Sequence, residues 1–166
     1  MVRRSIRLDE AKADASVLLN APLRQLLLAL VFMGIVGLEV ELALLRHAES
    51  LTQWIPHVTL MIGLLSSAAV YFRPGAPTLR AFQVVMLIFV VVGVLGLYLH
   101  FRGNVDFALE RDPSLTGGRL IWKALRGATP ALAPGALAQL GLLGLLYTYR
   151  HPALERDNAR ERANVD

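Results

Sequence analysis

Five residues carry the side chains that could do chemistry: Glu39, Glu41, His47, His57 and His100. Two are carboxylates inside an apolar block, where an ionisable group is costly and by default a candidate for function. Imidazole and carboxylate together suit a divalent metal such as zinc or iron. Two histidines on separate helices suit the axial positions of a haem iron. Asn104, Asp106 and Glu110 follow His100 closely and are candidates to support such a site. The chain has no cysteine, so thiolate ligands and thiolate catalysis are excluded. The spacing is not diagnostic, because neither an H-E-x-x-H nor an E-x-x-H pair occurs. A blander reading makes the histidines interfacial residues bonded to headgroups or water. A carboxyl that burial can neutralise is also a plausible proton carrier.

Depth decides how unusual the carboxylates are. The first apolar block runs from Leu23 to Leu45. At the rise of an α-helix, Glu39 lies about 9 Å and Glu41 about 12 Å from its midpoint. Both fall inside a hydrocarbon half-thickness of about 15 Å. Two residues apart, they point about 200° from one another, so one partner cannot serve both.

The elements that must position these residues are transmembrane helices. Hydrophobic residues make up 55% of the 166 residues and charged ones only 18%, below the charge of an ordinary soluble domain. The apolar residues come in blocks without strand-like alternation, and lipid leaves backbone groups no partner but their own helix. The pattern predicts an all-α integral membrane protein. Its core is a four-transmembrane-helix bundle over 22–149, with crossings at about 23–45, 56–72, 81–100 and 131–149. Residues 1–21 form a cytoplasmic amphipathic segment, ended where Pro22 opens the first crossing. Arg3, Arg4 and Arg7 resemble the start of a signal peptide. The acids that follow and the length of the apolar block argue instead for a retained first crossing.

Residues 101–130 form the longest connection. Within it GRLIWKALRG reads as a short interfacial amphipathic helix, with Lys123 and Arg126 reaching headgroups. The last crossing is marginal unless it extends back through TPALAP. Residues 150–166 read as a flexible charged tail. Glycines recur three apart at Gly34 and Gly37, Gly93 and Gly96, and Gly141 and Gly144, opening faces for close backbone approach.

Charge orients the bundle. Four crossings put both termini on one side with most of the 17 Lys and Arg residues, which makes that side cytoplasmic. The expected setting is a bacterial-type cytoplasmic (inner) membrane. The net charge of +4 is then met by anionic lipid rather than nucleic acid. His47, His57 and His100 all fall at the outer end, near Glu39 and Glu41. Three readings follow: an outer site for a metal ion or haem, a non-catalytic subunit or assembly factor of a larger membrane complex, or a proton-coupled transporter or channel subunit. Membrane lipids, other subunits or self-association are the expected partners. No motif of soluble catalysis is present, and whether the chain is an enzyme stays open at this level.

Overall fold

A computed structural model describes the backbone of residues 2–46, 49–127 and 134–164, and the side chains of these from 21 onward. Its described elements are all helical: α1 (Val2–Leu44), α2 (Leu51–Phe72), α3 (Ala76–Arg111), α4 (Gly117–Leu125), α5 (Gly135–Thr148) and α6 (Pro152–Ala163). Among the described residues, three segments are long and apolar enough to cross a membrane: Ala21–Leu44, Leu51–Phe72 and Ala76–Arg111.

This corrects the expected four-transmembrane-helix bundle. α5 has only 14 residues, about 21 Å of helix against a hydrocarbon core of about 30 Å. The extension through TPALAP falls mostly on residues 128–133, outside the described residues. Short as it is, α5 is central to the packing. It runs antiparallel to α3 and also touches α1. Gly93 lies against the backbone of Ala138, Gly141 against the carbonyl of Met86, and Gly144 against the Met86 side chain. All four paired glycines of α3 and α5 thus sit at this seam or at its end, where Gly96 meets Pro134.

The core is a layer of Val31, Ile35, Leu60, Leu79, Phe82, Met86, Phe89 and Leu140 between the four apolar helices. Outside it the helices are turned inside out relative to a soluble protein. Leu26, Met33, Leu65, Val84, Val91, Leu142 and many similar side chains are exposed. Contiguous apolar surface on this scale needs a partner phase. The chain is a small all-α protein whose apolar helices are those of a membrane protein.

The ends of the elements differ from the sequence pattern for identifiable reasons. α1 passes through Pro22 rather than starting there. α2 begins at Leu51, its first turn closed by the Gln53 carboxamide, which accepts from the backbone N–H groups of Glu49 at 2.6 Å and Ser50 at 3.2 Å. α3 starts near Pro77 and continues to Arg111, well past the apolar run, because its last turns bury Asn104 and Ala108 against α4. The tail read as flexible contains α6. His151 caps it by accepting from the N–H of Ala153 at 3.2 Å. Arg80 on α3 holds it through Asp157 at 3.0 Å and Glu161 at 3.4 Å.

Candidate functional site

The hairpin of α1 and α2 brings Glu39 and His57 together. The imidazole Nδ1 lies 2.8 Å from Glu39 Oε1. His57 is mostly covered and Glu39 keeps a third of its side-chain surface. Glu39 is five residues before the end of α1 and His57 six after the start of α2, so each lies about 8–9 Å inside its helix end. Trp54, one turn before His57, tilts its ring against the imidazole at 5.5 Å between centroids. The second carboxylate oxygen, Oε2, is buried and has no hydrogen-bond partner among the described residues. Buried oxygens are rarely left in this state.

Beside the pair runs a groove of about 140 Å³ between α1 and α2. Ile35, Val36, Val40, Leu60, Met61 and Leu64 line it, and Glu39 is its one polar residue. Val36, Val40 and Met61 are exposed on its outer lip. The arrangement can hold an apolar side chain or chain segment beside a carboxylate. It has no nucleophile and no second acid.

The other residues singled out from the sequence do not join the pair. Glu41 is exposed, as its angle from Glu39 requires. His47 lies outside the described residues. His100 is on α3, one turn before Asn104 and on the same helix face, the face turned to α4. Asn104 is buried and donates from Nδ2 to the carbonyl of Ala124 at 3.0 Å. Asp106 and Glu110 are exposed on α3. Among the described residues no group of three or more His, Asp or Glu side chains could hold a metal ion. The metal-binding expectation is corrected accordingly. Its error was to treat a shared end of the bundle as a shared site, when Glu39 and His57 face the α1–α2 seam and His100 belongs to the α3–α4 side.

Polar groups elsewhere in the apolar region are tied locally. Thr59 donates to Ile55, and Ser66 and Ser67 to Gly63, all carbonyls of their own helix. Gln83 donates to Thr148 Oγ1 at 3.1 Å, joining α3 to α5. At the far end Arg24 of α1 reaches the carbonyl of Tyr147 in the last turn of α5 and those of Tyr149 and Arg150 just beyond it. Nothing in the spacing of Arg24 within the sequence points to this role. Its one available signal was a full positive charge at the mouth of an apolar helix.

The chain matches no family model, no curated protein and no solved structure.

Proposed function

We propose that the protein is a non-catalytic subunit or assembly factor of a larger membrane complex, and that the α1–α2 face receives a helix of its partner. The observation that carries this reading is the Glu39–His57 pair at the edge of an apolar groove, with one carboxylate oxygen covered yet without a donor among the described residues. A partner helix laying an apolar side chain in the groove and a donor beside Glu39 would complete both. Two further features agree. Thr59, Ser66 and Ser67 are tied to carbonyls of their own helix, and Gln83 to Thr148 of α5. They do not line up as the stepped path that proton transport needs. In this reading the base-rich end, with Arg24, Arg73, Arg80 and the bases of α6, faces the cytoplasm.

The test is site-specific photo-crosslinking in native membranes. The crosslinker replaces Val36, Val40 or Met61 on the groove, or Val91 on α3 as a control of equal apolarity. The expected result is one protein adduct formed from the three groove positions, absent from Val91, and weakened by Glu39→Leu. Adducts to lipid or to a second copy alone from all positions would overturn the reading.

A further inference from the structure

The short helix α4 presents three different faces. At 3.6 residues per turn, Leu120 and Ala124 share one side, and Ala124 is fully buried. Ile121 and Leu125 share the next, with Trp122 adjoining, and all three are exposed. Arg119, Lys123 and Arg126 follow one another at i, i+4 and i+7 along the third side, also exposed. α4 itself contains no acid.

Two contacts fix its roll. Asn104 Nδ2 donates to the Ala124 carbonyl at 3.0 Å, which also accepts the Gly127 N–H at 3.2 Å where α4 ends. Gly127 sits so close that a Cβ there would meet Asn104 Oδ1 at 2.5 Å. The helix therefore folds back along α3 with its last turn level with Asn104. That level lies five residues beyond Leu99, the end of the apolar run of α3, or about 7.5 Å. The headgroup layer is about 5–8 Å deep on each side of the hydrocarbon, so the end of α4 sits within it.

At that depth the three faces match three surroundings: protein, upper acyl chains and phosphates. The Arg126 guanidinium lies over the Trp122 ring, 5.7 Å from its centroid, within cation–π range. Among the described residues, no carboxylate comes within ion-pair distance of Arg119, Lys123 or Arg126. Asp112 is close enough to feel Lys123 and Arg119, but its Oδ1 already accepts from the Ser114 hydroxyl at 2.6 Å and the Ser114 N–H at 3.1 Å.

We infer that the α3–α4 hairpin is a binding site for anionic phospholipid, the headgroup phosphate held by Lys123 and Arg126 while Ile121, Trp122 and Leu125 rest on the acyl chains. The inference is independent of the partner helix proposed at the α1–α2 face.

Trp122 reports on its own surroundings once the other of the two tryptophans is removed. The full chain carrying Trp54→Phe is placed in nanodiscs of phosphatidylcholine and phosphatidylglycerol, with bromine on the upper acyl chain of one lipid or the other. Brominated phosphatidylglycerol is expected to quench Trp122 several-fold more than brominated phosphatidylcholine at equal mole fraction. A base near the surface is worth about fivefold in attraction to anionic lipid, so Lys123→Gln with Arg126→Gln should bring the two to equality. Quenching by phosphatidylcholine should persist in that variant, showing α4 still in place. Equal quenching before the substitutions, or a preference that survives them, would overturn the inference. Abolition of the preference by inorganic phosphate, at an ionic strength where chloride leaves it intact, would overturn the lipid as ligand in favour of a soluble phosphate.

Discussion

The Arg24 guanidinium donates to the Tyr147 carbonyl at 2.6 Å across 123 positions of sequence. It also reaches the carbonyls of Tyr149 at 3.0 Å and Arg150 at 3.1 Å. A cation thus closes the C-terminal end of α5, where helix carbonyls and the helix dipole both favour positive charge. α5 is too short to be held by spanning the bilayer, so this lock and the glycine seam with α3 fix its position. Arg24→Ala should cost about 2–3 kcal/mol, seen as a thermal midpoint lowered by roughly 4–12 °C in detergent. Arg24→Lys keeps the charge but loses the fork, and should recover only part of the loss. A midpoint unchanged in Arg24→Ala would mean that the glycine seam alone holds α5.

Glu39 and His57 invite a double-mutant cycle. Polar contacts between membrane helices measure about 0.6 kcal/mol on average and reach about 1.7. A coupling in the upper half of that range is expected between Glu39→Ala and His57→Ala, because the pair is short and mostly covered. Reversible unfolding in mixed micelles supplies the four stabilities. A coupling indistinguishable from zero would mean that the two side chains reach lipid headgroups or water instead of each other.

The contrast between these two ties shows what the residues alone could and could not reveal. The apolar blocks of α1, α2 and α3 are legible because about twenty predominantly apolar residues admit one solution in lipid. Glu39 and His57 stand out for the same reason, being polar where polarity is expensive. Their pairing depends on the register of the α1–α2 hairpin, which periodicity does not set. The fourth crossing rested on an extension back through TPALAP; the described helix Gly135–Thr148 is apolar enough but by itself about 9 Å too short. The turns of α3 beyond His100 were hidden by polar residues whose helix is held from outside, through Asn104 and Ala108 against α4. Pairing His100 with His57 followed from topology alone, and topology places residues at an end of a bundle without saying which face they share.

The glycines should separate sharply under substitution by alanine. At Gly93 a Cβ would meet the backbone nitrogen of Ala138 at 2.5 Å, and at Gly141 the Met86 carbonyl oxygen at 2.6 Å. Backbone cannot move aside without parting α3 from α5, so each should cost about 1–3 kcal/mol as overpacking does. At Gly34 the added carbon meets only the tip of Leu140, which can rotate away at smaller cost. At Gly37 nothing lies within 4 Å, and Gly37→Ala should be neutral or gain up to about 1 kcal/mol from helix propensity. Thermal midpoints of the four variants check the order. Equal losses at Gly37 and Gly93 would contradict the described α3–α5 seam.

The last tie is set by pH. Burial, and after it the nearby Arg24 charge, push the His151 imidazole below its usual 6.5. The same ring accepts the Ala153 N–H through Nδ1, a bond that exists only while Nδ1 carries no proton. The unfolded chain takes up its proton near 6.5, the folded chain only at lower pH, so protons favour unfolding. The stabilisation from His151 is complete above 6.5 and is lost as pH falls through the depressed folded value. Lowering pH from 7.5 to 5 should therefore weaken the capping of α6 and lower the thermal midpoint. His151→Asn supplies an N-cap oxygen that does not titrate in this range, and its midpoint should fall less over the same interval. An identical decline in both proteins would assign the acid sensitivity to other groups and leave His151 a cap without a switch.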